Sequence, residues 1–141
     1  MLVRLIYASR AAGAVNAEVL MPIMKASRAK NAAAGITGVL VFSDGVFLQL
    51  LEGGRNAVSA LYNRIACDAR HRDVVLLAYD EVDERRFAGW SMGQANLSRL
   101  NPGILLKYSE RAVLDPYSLT SKATLALFEE LIATAVIDCG S

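Results

Sequence analysis

The sequence predicts an α+β domain in which a mostly antiparallel sheet of five strands carries two helices on one face. Three observations support this prediction. Short apolar segments alternate with the period of two that is typical of strands, and two longer segments between them repeat every three to four residues, as helices do. Asp44-Gly45 separates two adjacent strand segments and is a strong hairpin signal. The chain has 141 residues, 54% of them hydrophobic, so it can form one sizeable core.

The predicted elements follow in the order β-α-β-β-α-β, with one additional strand, which is the ferredoxin-like order. The predicted strands cover residues 2–9, 36–42, 46–52, 74–79 and 87–92. The predicted helices cover residues 16–31 and 56–70, with Asn16 and Asn56 as N-caps. Pro22 lies beyond the first turn of the first helix, so a kink or a later start is expected there.

The second face of the sheet is also apolar, because Ile6, Leu48 and Leu50 point away from the two helices. Residues 100–138 supply a cover. Asn101-Pro102 and Asp115-Pro116 each combine a capping residue with proline at the first helical position. The second of the two helices predicted here has an apolar stripe formed by Leu127, Phe128, Leu131, Ile132 and Ala135. We expect these helices on the rear of the sheet or at a subunit interface.

Composition and charge exclude several classes of function. The net charge of +1, without a basic stretch, argues against nucleic-acid binding. Two cysteines and one histidine argue against a disulfide framework and a metal site. The longest apolar stretch, residues 36–51, is broken by the hairpin turn, and no signal peptide precedes it. A cytoplasmic protein without a membrane span is therefore expected.

Gln49 is the most informative residue, because it lies in the middle of an apolar strand. It shares a face with Phe47 and Leu51, which must be buried if the chain has one core. A buried amide without partners costs about 1–3 kcal/mol. Tyr7, on the inner face of the first strand, is a candidate partner, and such a pair could lie beside a polar ligand.

Further polar residues fall on the inner sides of the predicted helices and sheet. Each has an ordinary explanation as well. Asn31 could simply end the first helix, and Asp68, Arg70 and His71 could be a solvated helix end whose basic residues complement the helix dipole. The complete set is Tyr7, Ser27, Asn31, Gln49, Asp68 and Arg70.

Five linear motifs favour a functional explanation for these residues. They are R-L-I-Y-A-S at 4–9, N-x4-I-T-G at 31–38, F-L-Q-L-L-E-G at 47–53, D-A-R-H at 68–71 and R-x-F-x2-W-S-M-G ending at residue 93. In this order, and on this succession of elements, they resemble a BLUF domain, a blue-light sensor that uses flavin. The resemblance covers residues 1–93 and leaves residues 94–141 as a helical extension that could act as a cap, an output element or an oligomerisation element.

The resemblance implies that a flavin lies between the two helices. FAD is the expected form, and FMN or riboflavin could substitute for it. Asn31 and Arg70 would contact opposite polar edges of the ring, with Asp68 beside Arg70. The remaining cofactor contacts implied are Ile23 and Ile65, which would sandwich the ring, and Ser27, Lys30 and His71.

The resemblance also implies that Tyr7 and Gln49 form the photoactive pair. Light would drive electron and proton transfer from the tyrosine, with the glutamine as relay. The glutamine would then rotate or tautomerise and give the flavin a new hydrogen bond, which red-shifts its absorption. Trp90 and Met92 would transmit the signal, and because they are two residues apart in a predicted strand, both are expected on the same face.

The resulting prediction is a photoreceptor that is not itself an enzyme. The 48 residues after the resemblance ends are too few for a catalytic domain, so output would pass to a partner protein or through a change of oligomer. A homo-oligomer, most simply a dimer, is expected. The alternatives are a flavin-dependent oxidoreductase on a ferredoxin-like fold and a light-insensitive flavin-binding module.

Overall fold

The computed structural model describes residues 1–13, 17–95, 101–134 and 137–138. The strands and helices alternate as the sequence predicts over the first 95 residues. In chain order they are β1 Leu2–Ala11, α1 Ala17–Ala33, β2 Thr37–Ser43, β3 Val46–Gly54, α2 Arg55–Ala66, β4 His71–Val82, β5 Ser91–Ala95, α3 Pro102–Tyr108, α4 Ser121–Ala133 and β6 Ile137–Asp138.

The strands form one sheet in the order β4-β1-β3-β2-β5-β6. Only the β2–β5 pairing is parallel among the described pairs, which confirms the mostly antiparallel, ferredoxin-like prediction. The two-residue strand β6 was not predicted, and it pairs with β5 at Gln94 and Ala95. The predicted hairpin between β2 and β3 is present, with Asp44 and Gly45 both at positive φ as its turn requires.

Each face of the sheet packs against its own set of helices. On the front face, α1 and α2 cover a core that includes Leu5, Tyr7, Leu51 and Val58. On the rear face, α4 contributes three buried side chains of its predicted apolar stripe, Leu127, Phe128 and Leu131. The prediction that the C-terminal helices cover the rear of the sheet is therefore confirmed, whereas Ala135 lies outside the described residues.

The predicted bounds of α2 were wrong at both ends. Gly54, not Asn56, is its N-cap, and no side chain caps the helix there. The helix ends at Ala66, four residues earlier than predicted, and Cys67 is its C-cap. The Asp68 carboxylate accepts a hydrogen bond from the Arg70 backbone N–H at 2.8 Å, so its side chain stabilises a turn in place of a further helical turn.

The first helix continues through Pro22, which is exposed, so neither the expected kink nor a later start is needed to place the proline in the helix. Asn16, its predicted N-cap, lies outside the described residues. In the C-terminal region, Asn101 caps α3 as predicted and accepts from the Gly103 N–H at 2.9 Å.

The start of α4 was predicted too early and its end too late. Asp115-Pro116 begins only a short 3₁₀ turn, Pro116–Ser118. The helix starts at Ser121, because the Thr120 hydroxyl accepts a hydrogen bond from the Ala123 N–H at 3.0 Å. It ends at Ala133, ahead of β6. Within the described parts of the chain, no helix is long and apolar enough to cross a membrane.

Candidate functional site

The two front helices and the sheet enclose a cavity of about 380 Å³. Its volume lies within the range of about 300–1,000 Å³ that is typical of small-molecule sites. All ten residues predicted to contact a cofactor line this cavity: Tyr7, Ile23, Ser27, Lys30, Asn31, Gln49, Ile65, Asp68, Arg70 and His71. The elements bring together side chains that are up to 64 positions apart in the sequence, from Tyr7 to His71.

The walls of the cavity are mainly aliphatic and aromatic. Ile23 on α1 and Ile65 on α2 both line it, so each front helix contributes an aliphatic side chain to the cavity. Six residues that were not predicted to contact a cofactor also line the cavity: Ala12, Met24, Leu40, Phe47, Leu61 and Arg64. The spacing of α2 contains a signal for Arg64 as a lining residue. It lies three residues after Leu61, about one helical turn, and therefore on the same side of the helix.

Tyr7 and Gln49 are direct neighbours in the antiparallel pairing of β1 with β3. The Tyr7 hydroxyl donates a hydrogen bond to Gln49 Oε1, and Gln49 Nε2 donates to Met92 Sδ at 3.2 Å. Both partners of the buried amide are therefore present, but they differ in strength, since a thioether is a weak acceptor. Tyr7, Gln49 and Met92 form a continuous hydrogen-bonded chain from the cavity to β5.

The buried environment keeps Tyr7 protonated. Burial raises the pKa of its phenol above the ordinary value, and Tyr62 and Asp68 raise it further. The Tyr62 ring contacts Tyr7 with 5.7 Å between ring centroids. A neutral phenol is a good donor, so the Tyr7 O–H bond to Gln49 is maintained throughout the physiological pH range.

Asp68 and Arg70 form an ion pair at the edge of the cavity. The Asp68 carboxylate accepts from Arg70 Nη2 at 2.5 Å and from Arg70 Nε at 3.0 Å. These hydrogen bonds lower the pKa of Asp68 to about 2 and raise that of Arg70. The carboxylate therefore fixes the orientation of the guanidinium, while Asn31, almost fully buried near the end of α1, offers an amide to the same cavity.

His71 occupies the start of β4 beside the cavity. Its Nδ1 lies 2.7 Å from the buried Ser9 hydroxyl, and its ring contacts Phe47 with 4.8 Å between centroids. Burial lowers the pKa of the imidazole below its usual value, an effect larger than the opposing attraction of Asp68. The imidazole is therefore neutral at pH 7.

Trp90 and Met92 do not share a face, so the prediction that they do was wrong. Met92 is fully buried in the front core, whereas Trp90 packs, partly buried, against the rear core. There are two reasons. The predicted fifth strand, residues 87–92, begins only at Ser91, so Trp90 lies just before β5. Within β5, Gly38 pairs with Ser91 and Val39 pairs with Gly93, which leaves Met92 as an extra residue in a bulge. One extra residue interrupts the period-two alternation of side chains.

A buried ion pair on the rear side of the sheet was missed. Glu52 is fully buried and accepts hydrogen bonds from Arg4 Nε at 2.9 Å, from the Phe87 N–H at 2.8 Å and from the Arg86 N–H at 3.1 Å. The sequence contains a signal for the pair, because the strand register that places Tyr7 opposite Gln49 also places Arg4 opposite Glu52. The carboxylate ties β3 to the segment that leads into β5.

The ferredoxin-like fold, the largely apolar cavity and the hydrogen-bonded tyrosine and glutamine that line it are the arrangement expected of a flavin-binding light sensor. Residues 2–93 match the model of the BLUF family, the sensors of blue-light using FAD, and the chain belongs to this family. BLUF domains bind flavin.

The chain is similar to several characterised proteins. It is 40% identical over 84 residues to the photoactivated adenylate cyclase subunit alpha of Euglena gracilis, a match that covers 60% of this chain and 8% of that protein. Two solved structures match almost end to end. The photo-activated state of BlsA is 32% identical with a TM-score of 0.80, covering 94% of this chain and 95% of that one. The dark state of the BLUF protein BlrB is 30% identical with a TM-score of 0.74, covering 95% and 96%.

Proposed function

We propose that this chain senses blue light by rearranging the hydrogen-bonded chain Tyr7–Gln49–Met92 beside a bound FAD. The observation that carries the proposal is the asymmetry of this chain: one buried amide holds a strong donor on its oxygen side and a weak acceptor on its nitrogen side. Such an amide has defined partners, yet breaking its hydrogen bond to the thioether costs little free energy.

The residues of the cavity fit a flavin. Ile23 and Ile65 would contact the two faces of the ring, and Asn31 and Arg70 would bind its polar edges. Pro22 and Ala26 line a second hollow of about 310 Å³, which shares Ile23, Ser27, Lys30 and Arg70 with the main cavity and would admit the ribityl tail. The sequence has no glycine-rich phosphate loop, so FMN and riboflavin are expected to bind as well.

Flavin, when bound, supplies absorption of blue light and an excited state that can accept an electron. The protein contributes a neutral phenol at Tyr7, already hydrogen-bonded to the amide that is to move. After light-driven proton and electron movement at Tyr7, Gln49 would rotate or tautomerise and direct a new hydrogen bond toward the ring. Met92 would then lose its hydrogen bond from the amide. Because Met92 belongs to β5, this loss would change the restraint on that strand.

We propose further that residues 1–93 form the flavin-binding unit and residues 94–141 its output. The output role of the second part is supported by its packing on the rear of the sheet. Trp90 and Phe87 belong to the same hydrophobic cluster as Leu127, Phe128 and Leu131 of α4. An ion pair between Arg86 and Glu129 joins the same two segments. The chain would act without catalysis of its own, through a partner protein or a change of homo-oligomer.

The test is an absorption spectrum of the purified protein before and after blue illumination. We expect a flavin spectrum that shifts to the red and recovers in the dark, and we expect Gln49→Leu to bind flavin but to show no shift. A Gln49→Leu variant that retains the full shift would contradict the proposed rearrangement. Stoichiometric NADH oxidation in the dark would favour an oxidoreductase, and flavin without a photocycle would indicate a light-insensitive binding module.

A further inference from the structure

Met92 combines a bulge with an unfavourable backbone conformation. It is the extra residue between two paired positions of the parallel strands β2 and β5, where bulges are rare. Its φ is +122°, a region that residues with a Cβ atom seldom adopt. Such a conformation persists only when the neighbouring structure holds it, and it is typical of functional sites.

Two side chains from different elements hold Met92. Arg28 of α1 donates from Nε to the Met92 carbonyl oxygen at 3.2 Å. Gln49 of β3 donates to the Met92 sulfur at the same distance. The Arg28 bond is the stronger of the two, because its donor is charged and its acceptor is a carbonyl oxygen, not a thioether.

Arg28 is connected to the cavity through neighbouring residues of its own helix. It lies one helical turn from Met24 and one turn from Asn31, and both of those residues line the cavity. The position of α1 against a bound ring therefore determines where the Arg28 guanidinium lies relative to β5. Arg28 itself is only partly buried, so it is free to exchange its partner for water.

We propose that Arg28 is a positioning residue that maintains the Met92 bulge and thereby keeps Trp90 on the rear face of the sheet. The proposal rests on the light-driven rearrangement of Gln49 proposed above. When Gln49 leaves the Met92 sulfur, Arg28 still restrains the bulge. If the bulge is lost, side chains alternate regularly along β5. Extension of that alternation to Trp90, the residue just before β5, places Trp90 and Met92 on one face and removes Trp90 from the cluster shared with α4.

The test measures the bulge in the dark, without photochemistry. Trp90 is the single tryptophan of the chain, so intrinsic fluorescence and its quenching by acrylamide report on this residue alone. Methionine labelled with ¹³C in the methyl group adds a second signal, assigned to Met92 by its disappearance in Met92→Leu. The variants are Arg28→Ala and Arg28→Lys. The matched control is Lys25→Ala, which removes one positive charge from an exposed position of the same helix.

Loss of a charged hydrogen bond at a partly exposed position is expected to shift the equilibrium between the bulged and the regular strand by about tenfold. In Arg28→Ala, the acrylamide quenching of Trp90 and the chemical shift of the Met92 methyl group should both differ from the wild-type values. The rate of return to the dark spectrum should also decrease, by about the same tenfold factor. The size of the light-induced shift should not change, because Tyr7 and Gln49 are intact. Arg28→Lys should lie between, since lysine keeps the charge without the planar fork.

The proposal is overturned if Arg28→Ala and Lys25→Ala give the same Trp90 quenching and the same Met92 methyl signal as the wild type. Circular dichroism establishes that each variant is folded, and Arg28→Lys carries the test if Arg28→Ala is not. If the wild type shows no light-induced shift, the proposed function fails, while the dark measurements still decide the role of Arg28.

Discussion

The two faces of the sheet differ in how strongly they hydrogen-bond a buried polar side chain. On the rear side, the Glu52 carboxylate has three donors, all of them nitrogen atoms of this chain, so each of its hydrogen bonds is strong. On the front, the Gln49 amide has one strong partner and one weak partner, and a cavity lies beside it. A fully satisfied carboxylate is fixed, whereas an amide with a weak partner and adjacent space can rearrange. The front face is therefore suited to switching and the rear face to anchoring.

Substitution of one phenylalanine on each face gives the largest expected difference in stability. Phe128→Ala removes a fully buried side chain from the closed rear core and should reduce the free energy of unfolding by about 3–5 kcal/mol. Phe47→Ala should reduce the free energy of unfolding of the flavin-free protein by less. Phe47 already borders a cavity, so its side chain has fewer contacts to lose. Urea unfolding of both flavin-free variants measures the difference. Equal losses would mean that the front core is as tightly packed as the rear one.

Substitution of a matched pair of isoleucines gives a smaller effect, confined to ligand binding. Ile65→Ala trims a half-buried side chain that lines the cavity and should weaken flavin binding about five- to tenfold, from a loss of roughly 1–1.4 kcal/mol of contact. Ile132→Ala makes the same change in α4, on the rear of the sheet. It should leave flavin affinity unchanged in a fluorescence titration. Weaker binding in Ile132→Ala would show that the two faces are coupled in the dark.

The sequence predicts the front face well, because its pattern is regular there. Period-two alternation places Tyr7 and Gln49 on one face, and helical spacing places Ile23 and Ile65 on the sides that face the cavity. The roles assigned to these residues stay predictions until they are tested by spectroscopy. The same alternation fails at Met92, since a bulge at a residue other than glycine has no composition signal.

The errors at the helix ends have a similar origin. Asn56 is a better capping residue than Gly54 by type, but α2 begins directly where β3 ends, so the strand determines the first helical residue. In α4, Asp115-Pro116 and Thr120 are both plausible starts, and the structure uses Thr120, whose hydroxyl caps the helix. Local preference thus identifies candidate caps, and packing of the neighbouring element selects among them.

The smallest expected effect is the acid dependence of the Asp68–Arg70 pair at the edge of the front face. The folded-state pKa of Asp68, about 2, is below the unfolded value of about 3.9, so the pair stabilises the protein above that unfolded value and loses its contribution as the pH falls toward 2. Arg70 is more than half exposed, so solvent screening limits the contribution to below about 1 kcal/mol.

The measurement is the difference in free energy of unfolding between the wild type and Asp68→Asn, followed from pH 7 downward. Subtraction cancels the groups that titrate in this range without interacting with Asp68. His71 does not cancel, because Asp68 raises the pKa of its imidazole against the larger lowering by burial. The contribution of the pair should begin to decrease at about pH 5, fall through pH 2 and approach zero at about pH 1. The Glu52 cluster provides the contrast, because Glu52→Gln leaves the buried Arg4 without its charged partner, a change that typically costs about 3–5 kcal/mol. If Asp68→Asn reduced the free energy of unfolding by as much as Glu52→Gln does, the ion pair at the edge of the front face would stabilise the fold as strongly as the Glu52 cluster on the rear face.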